Sequence, residues 1–460
     1  MEIKPRRNLT DITKGKNITG ILLRLAIPIM LANSFQTLYN IIDAFFLGKL
    51  GKSVFAAPAI TFNVIFVLIA FGFGFSMAGT TLIAQSKGKN DREKVDFYLG
   101  QTTVTLVVLS ILISVIGVIF TNPVLRILKT PPDAFIYTSK YMRIILMGIP
   151  FMFGTFILQA SLQGIGDTIT PLWIQGIAVS FNILLDPLLI FGIGPFPKMG
   201  VVGAAIGTVI SRSVGSFIGI AILVQGKKGL QLKWRNLKPD RKALRLIFEI
   251  GFPSSIGQSV SALGFTVLQG VVNYFGSAVV AAFGIGNRIV GLFNMPAMGI
   301  GRAVTTMVGQ NLGAREIKRA WKSVKAGIII VGVFLLIGMT FTFFFGSSFV
   351  HFFIPNDPEV TKWGVILFRI ISPSVVFFGI LMVLNGAFQG AGDTKPPMVL
   401  NIVRLWGIRV PFSYLLALVF HMGPIGIWIS MFLSNIVISI WGLFWFKRGK
   451  WEKKLNPDRI

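Results

Sequence analysis

The chain alternates between long apolar stretches and short polar segments along most of its 460 residues. Stretches such as 102–120 and 326–345 are each long enough to cross a bilayer, which takes about 20 helical residues. The pattern predicts twelve spans, at residues 18–47, 54–84, 95–121, 134–160, 169–193, 200–225, 243–275, 278–309, 324–353, 360–386, 396–420 and 425–446. We therefore expect an all-α polytopic membrane protein with 12 transmembrane helices.

One motif occurs twice in the chain, at an interval of nearly half its length. Residues 163–171 read QGIGDTITP and residues 389–397 read QGAGDTKPP, so six of nine positions are identical. Pro28 and Pro253 form another pair at almost the same interval. Each copy of this repeat holds six spans, which gives both copies the same orientation. The expected architecture is two six-helix lobes related by pseudo-two-fold symmetry along the membrane normal.

The repeat divides the chain into five parts. They are a cytoplasmic N-terminal segment (1–17), an N-lobe (18–225), a cytoplasmic linker (226–242), a C-lobe (243–446) and a basic cytoplasmic tail (447–460). Most basic residues lie in the termini, the linker and the loops on the same predicted side. Because positive residues stay inside, we expect both termini in the cytoplasm and the protein in the cell membrane.

Composition narrows the possible functions. Charged residues make up 13% of the chain, against about 25% in a soluble domain, and the net charge of +27 reflects topology rather than nucleic-acid binding. The chain has no cysteine, which excludes disulfides and thiolate metal sites. No nucleophile is paired with a base and no nucleotide motif fits, so we expect neither an enzyme nor an ATPase. The expectation is a monomeric transporter without a cofactor, driven by a coupling ion (H+ or Na+).

Polar residues recur at helical spacing in two spans of the first half. They are Asn33, Gln36, Asn40 and Asp43 in the first span, and Gln175, Asn182 and Asp186 in the fifth. In each span this spacing places them on one helix face. The second half does not repeat the acids, because Asp43 aligns with Leu268 and Asp186 aligns with Phe412. The scaffold is duplicated and the carboxylates are not.

An ionisable residue inside a span costs several kcal/mol and is a functional-site hypothesis by default. Asp43 and Asp186 are therefore the candidate cation-coupling residues. Two carboxyl groups buried together suit proton coupling, whereas the same oxygens with Asn182 and Thr208 suit sodium, a hard cation. A purely structural alternative stays open for each acid: Asp43 near the outer interface, and Asp186 in a turn broken by Pro187.

Four of the arginines in spans of the second half align with uncharged residues of the first half. They are Arg288, Arg302, Arg404 and Arg409, which align with Asn63, Met77, Ala178 and Ile183. They either pair with polar groups and reach an interface, or contact an anion or lipid headgroup. The candidate residues for a substrate cavity are Asn33, Gln36, Asn40, Asn63, Tyr141 and Gln175. Pro28 and Pro253 are hinge candidates, and on the alternative interpretation they serve only helix packing.

The chain resembles the multidrug and toxic compound extrusion (MATE) family. The resemblance is carried by the paired QGxGDTxxP loops, VGQNLGARE at 308–316, NIIDAFFLGKLG at 40–51 and the long motif from Asn182 to Thr208. It implies two six-helix bundles that export cationic or amphipathic compounds in exchange for protons or sodium. The acids match the DinF-type branch, in which Tyr141, Gln36 and Pro28 also fall on functional positions.

The sequence leaves two functions open. The first is a secondary active multidrug exporter that couples antiport of amphipathic or cationic compounds to H+ or Na+ by alternating access, with Asp43 and Asp186 as its coupling site. The alternative is a lipid or lipid-linked glycan flippase of the same superfamily, favoured by the arginines of the second half. Both functions have small amphipathic molecules and membrane lipids as partners.

Overall fold

The computed structural model describes residues 12–50, 52–355 and 357–454, and the part it describes is helical. The helices are α1 (Ile18–Gly48), α2 (Lys52–Gly88), α3 (Arg92–Ile127), α4 (Pro132–Met147), α5 (Ile149–Ile165), α6 (Ile169–Phe191), α7 (Val201–Gln225), α8 (Arg241–Asn273), α9 (Ser277–Gly313), α10 (Ile317–Phe353), α11 (Pro358–Gly390), α12 (Lys395–Val419) and α13 (Pro424–Lys447). Eleven are long and apolar enough to cross a membrane singly, and α4 with α5 makes a twelfth span, bent by 43°. The prediction of twelve spans is confirmed.

The bend between α4 and α5 was not predicted, since the sequence pattern gave one span over residues 134–160. The break falls at Gly148, two residues before Pro150. Proline has no backbone N–H to donate, and its ring clashes with the preceding turn, so the helix restarts there. A β-carbon at Gly148 would come within 2.5 Å of the Val209 side chain, so glycine also permits close packing against α7.

The duplicated QGxGDTxxP motif is a helix-ending loop in both copies. Its second glycine takes a left-handed conformation, with φ of 89° at Gly166 and 76° at Gly392, which favours glycine. Its first glycine packs closely: a β-carbon on Gly390 would come within 2.4 Å of the Thr305 carbonyl oxygen. Backbone geometry therefore explains why both copies of the motif keep their two glycines.

The aspartate of each motif copy pairs with a lysine that follows the next two spans. The carboxylate of Asp167 lies 3.6 Å from the Nζ atom of Lys228, and that of Asp393 lies 3.8 Å from the Nζ atom of Lys454. The two lysines are separated by the same interval as the two acids, so the ion pair itself is duplicated. Burial raises the pKa of Asp393 above its ordinary value, while Lys454 and Lys395 act in the opposite direction.

The described chain packs as two compact units that differ from the predicted lobes at two helices. One unit comprises Leu31–Ser255, and the other comprises residues up to Met30 together with Ile256 onward. The boundaries thus fall inside α1 and α8, each two residues after the aligned prolines Pro28 and Pro253. The first part of α1 belongs with the second-half helices, and the first part of α8 belongs with the first-half helices.

Aligned glycines make the packing at these exchanged segments possible. A β-carbon on Gly74 would come within 2.2 Å of the Ser255 backbone nitrogen, and one on Gly299 would come within 2.5 Å of the Met30 side chain. The two glycines are separated by the same interval as the two prolines, and so are the two residues that they contact. The exchange of helix segments is therefore a property of the repeat and occurs once in each unit.

Candidate functional site

The two acids predicted as the coupling site lie in the same unit and are buried. Asp186 on α6 is fully buried, and Asp43 on α1 is 9% exposed. The two carboxyl groups are close enough to interact electrostatically. The i, i+4 spacing of α6 brings Asn182 alongside, and its Nδ2 donates to Asp186 Oδ1 over 2.8 Å. We call Asp43, Asn182 and Asp186 the carboxylate cluster.

Three oxygen atoms of the carboxylate cluster are buried and accept no hydrogen bond. They are Asp43 Oδ1, Asn182 Oδ1 and Asp186 Oδ2. No basic side chain among the described residues forms an ion pair with either acid. Buried acceptors without partners are rare and costly in proteins. These atoms are therefore suited to a proton or a hard cation, although no group of three His, Cys, Asp or Glu residues is found in the described chain.

Two tyrosines border the carboxylate cluster. The Tyr39 hydroxyl donates to Thr208 Oγ1 over 2.6 Å, which links α1 to α7. Tyr39 and the buried Tyr141 are both close enough to interact electrostatically with Asp43 and Asp186. Thr208 accepts from Tyr39, so its own proton is available to another acceptor. The structure thus brings Thr208 and Tyr141, both predicted, together with Tyr39, which was not predicted.

A second polar group in the same unit centres on Gln36. Its Oε1 accepts from Arg212 Nη2 over 2.6 Å and from Gln175 Nε2 over 3.2 Å. The Arg212 guanidinium also lies 5.1 Å from the centroid of the Tyr39 ring. Gln36 Nε2 donates in turn to Asn40 Oδ1 over 3.2 Å. Three predicted residues therefore form one network around an arginine that the sequence analysis did not single out.

The remaining predicted site residues differ in what surrounds them. Asn33 accepts from Thr37 through its backbone carbonyl, and its side-chain nitrogen is buried without a partner. The Asn63 side chain lies outside the described residues. Pro28 and Pro253 each lie inside a helix that continues past them. The hinge role of both prolines stays a prediction.

Close packing holds Asp186 in position. A β-carbon on Gly207 of α7 would come within 2.8 Å of Asp186 Oδ1. One turn earlier, a β-carbon on Gly203 would come within 2.4 Å of the Leu189 carbonyl oxygen. The small residues of α7 therefore allow α6 to approach closely, as in other membrane helix pairs. This contact was not predicted, but the sequence signal is the GxxxG spacing of Gly203 and Gly207.

Arg212 and Tyr39 also had sequence signals. Tyr39 lies four residues before Asp43, which places the two on one helix face. Arg212 is a basic residue inside the span predicted at 200–225, and such residues mark functional sites by default. The last spans of the two halves begin with the related segments GVVG (200–203) and GPIG (423–426). Aligning these segments sets Arg212 opposite Asn435, so it is a further position where the halves differ.

Comparison with known proteins identifies the family. The MatE family profile matches residues 28–188 and 253–415, one match in each half of the chain. The probable multidrug resistance protein NorM of Thermotoga maritima is 30% identical over 99% of this chain and 97% of its own. The probable multidrug resistance protein YoeA of Bacillus subtilis is 29% identical over 93% of both chains.

A solved structure supports the same assignment. It is described as an outward-facing multidrug resistance MATE family transporter of the MOP superfamily. It matches with a TM-score of 0.90 at 26% identity, over 97% of this chain and 99% of the other. With two family matches in register with the internal repeat and twelve helical spans, the chain belongs to the MatE family of multi-span membrane transporters, which are not enzymes.

Proposed function

We propose that this transporter is a secondary active multidrug exporter whose coupling cation binds at the carboxylate cluster. The observation that carries the proposal is the set of three buried, unpartnered oxygens on Asp43, Asn182 and Asp186. Two acids buried together repel when both are ionised, and the structure has no basic partner for them among its described residues. A bound proton or sodium ion removes that cost.

The donor set fits either ion. A proton on one carboxyl group converts an acceptor into a donor and joins the two acids. Sodium prefers hard oxygen ligands, which the two carboxylates, the Asn182 amide and the Thr208 hydroxyl supply. Because Tyr39 donates to Thr208, a lone pair of the hydroxyl oxygen remains for a cation. Both ions therefore stay within the proposal.

The names of related proteins support the choice of cargo. NorM of T. maritima and YoeA of B. subtilis are both described as probable multidrug resistance proteins. We infer amphipathic or cationic compounds as substrates, carried by a monomer in the cell membrane with both termini in the cytoplasm. The exposed amide of Asn40 and the Gln36–Gln175 pair are the proposed polar contacts for substrate.

The proposed coupling step runs along α1. Asp43 and Pro28 lie on this helix, fifteen residues apart. Proline cannot donate a backbone hydrogen bond to the preceding turn, so the helix is weakened at Pro28. A cation at Asp43 neutralises the mutual repulsion of the acids and permits α1 to change its bend at Pro28. Substrate release then accompanies cation entry, with Pro253 in the matching position of the other unit.

Transport in proteoliposomes tests this proposal. Ethidium transport is measured with a pH gradient and a sodium gradient imposed separately, first for the wild type and then for Asp43→Asn and Asp186→Asn. We expect one gradient to drive the wild type and neither to drive the two variants. Full gradient-driven transport by both variants would contradict the proposal.

The flippase alternative predicts a different outcome. Arg288 on α9 is exposed, with its guanidinium 6.0 Å from the Phe353 ring centroid, and is suited to an anionic headgroup. Scrambling of fluorescent phospholipid that falls in Arg288→Gln or Arg302→Gln, together with no ethidium transport, would favour lipid flipping. Ethidium transport without lipid scrambling favours the exporter.

A further inference from the structure

Two arginines are buried in the second-half unit on an unusual stretch of helix. Arg404 and Arg409 on α12 are each only 3% exposed. Both lie in a π-helical stretch, Val403–Arg409, where the backbone hydrogen bonds run from i to i+5. Residues five apart therefore stack on one helix face, and the two guanidinium groups are close enough to interact electrostatically. π-Helical turns occur frequently at functional sites.

The two arginines differ in how their N–H groups are used. Arg409 donates from Nε to Ser434 Oγ over 3.0 Å and from Nη2 to Asn435 Oδ1 over 2.7 Å. Asn435 is itself fixed, because its Nδ2 donates to Ser374 Oγ over 3.1 Å. Arg404 has no such partner: its buried Nε and Nη1 atoms donate to nothing, and its guanidinium lies 5.1 Å from the centroid of the Phe378 ring.

No negative charge balances this pair. Among the described residues, no carboxylate forms an ion pair with Arg404 or Arg409. Burying an arginine in a span without a counter-charge costs several kcal/mol, and a second like charge nearby adds to that cost. A helix that carries both is therefore explained by a ligand that supplies the missing charge.

We propose that Arg404 and Arg409 form a binding site for an oxyanion, the phosphate or carboxylate group of a ligand. Arg404 offers the N–H groups of Nε and Nη1, which donate to no protein atom and can form charge-assisted hydrogen bonds to the oxygens of such a group. Arg409 contributes its charge and stays positioned by Ser434 and Asn435. The oxyanion belongs either to a lipid headgroup or to a water-soluble anion. This site lies in the other unit from the carboxylate cluster and does not rest on the exporter proposal.

Thermal unfolding of the purified protein in detergent tests the site, because a ligand that binds the folded state raises the melting temperature. One arm adds sodium phosphate against sodium chloride at matched sodium and ionic strength. The other adds anionic phosphatidylglycerol against zwitterionic phosphatidylcholine. The variant is Arg404→Met, and the control is Arg369→Met, which removes an exposed arginine from α11 in the same unit.

We expect at least one anionic probe to stabilise the wild type and Arg369→Met. Arg404→Met should bind that probe at least about tenfold more weakly, since charge-assisted hydrogen bonds are lost. Its melting temperature without ligand should equal or exceed that of the wild type, because an unbalanced charge has been removed. If Arg404→Met does not purify, Arg404→Lys keeps the charge without the guanidinium N–H groups and should bind with intermediate affinity.

The two arms separate the source of the anion. Stabilisation by phosphatidylglycerol alone identifies a lipid headgroup, and stabilisation by inorganic phosphate identifies a water-soluble anion; both support the site. The proposal is overturned if neither probe stabilises the wild type. It is also overturned if Arg404→Met responds like the wild type, or if Arg369→Met loses as much as Arg404→Met.

Discussion

The fifth span and its repeat, α6 and α12, occupy equivalent places in the two halves and carry opposite charge. On α6 a regular helix aligns Asn182 with Asp186, four residues apart. On α12 a π-helical stretch aligns Arg404 with Arg409, five residues apart. α6 packs closely on the next span at Gly207, whereas α12 donates hydrogen bonds to the next span from Arg409. Neither Asp186 nor the two arginines form an ion pair in the described chain. The two halves share a scaffold and differ in the charge that each one buries.

The difference between the two spans matches the two binding roles that we propose for them. The carboxylate cluster presents unpartnered acceptors and suits a cation, whereas the arginine pair presents unpartnered donors and suits an anion. A purely structural residue would have its hydrogen bonds satisfied within the protein. Removing each charge separately distinguishes the two proposed binding roles.

Removing either acid should have the largest effect. Asp43→Asn or Asp186→Asn keeps the size of the side chain and removes the charge to which we assign cation binding. We expect gradient-driven ethidium transport to fall to the level of empty liposomes, with normal yield of folded protein. Asp167→Asn changes an acid of the same unit that caps α6 through Thr170, and should keep transport. Equal loss in this control would show that acid-to-amide changes act through folding.

Crowding Asp186 should have a smaller effect. A β-carbon on Gly207 would overlap Asp186 Oδ1 at 2.8 Å, so Gly207→Ala must shift the carboxylate or α7. Overpacking costs about 1–3 kcal/mol, and about 1.4 kcal/mol is tenfold in binding, so we expect roughly tenfold weaker cation dependence of transport. Gly215→Ala on the same helix meets its neighbours at 3.5 Å or more and should be close to the wild type. Identical behaviour of the two variants would contradict this account of α7.

Loss of the Tyr39 hydroxyl should be milder again. Tyr39→Phe removes the 2.6 Å hydrogen bond to Thr208 and leaves the charge of the carboxylate cluster intact. A neutral hydrogen bond contributes about 1 kcal/mol, so we expect the cation concentration for half-maximal transport to rise about fivefold. Tyr137→Phe alters an exposed tyrosine of the same unit and serves as the control. If the half-maximal cation concentration rises as much in Tyr137→Phe, the effect of Tyr39→Phe does not come from the bond to Thr208.

The repeated loop should matter least for transport. Asp393→Asn removes the 3.8 Å ion pair with the half-exposed Lys454, and such a pair contributes about 0–1 kcal/mol. Burial raises the pKa of Asp393, so ionisation of its carboxyl group lowers the stability of the folded state as pH rises above the ordinary aspartate range. The asparagine amide does not ionise, so the variant avoids this loss of stability. We expect transport to be unchanged and the melting temperature at pH 7 to move by at most about 3 °C. A loss of transport would give the loop a functional role.

Much of this arrangement was accessible from the sequence. The hydrophobic pattern predicted the spans closely: residues 200–225 for α7, found at Val201–Gln225, and 425–446 for α13, found at Pro424–Lys447. The internal alignment singled out Asp43 and Asp186 as places where the halves differ, and both acids are buried in one unit. Apolar length and charge carry that information because the bilayer acts on each span separately.

The features that escaped prediction depend on contacts between spans. The π-helical stretch at Val403–Arg409 does not follow a period of 3.6, so it brings together two arginines that a regular helix would separate. The partner of Gln36, Arg212, lies far along the chain on another helix. The first parts of α1 and α8 belong to the opposite unit from the rest of each helix, and the change occurs two residues after Pro28 and Pro253. Single residues such as Arg212 can be singled out in the sequence, but the partner that each one contacts lies on another helix and cannot be identified from local spacing.

The most direct test of the account measures the cation itself. Purified protein is loaded with the coupling ion, ethidium is added, and released protons or sodium ions are counted per transporter with a pH or sodium indicator. The account predicts release by the wild type and by Asp167→Asn, and none by Asp43→Asn or Asp186→Asn. Undiminished release from both of the latter variants would contradict the claim that the carboxylate cluster holds the coupling ion.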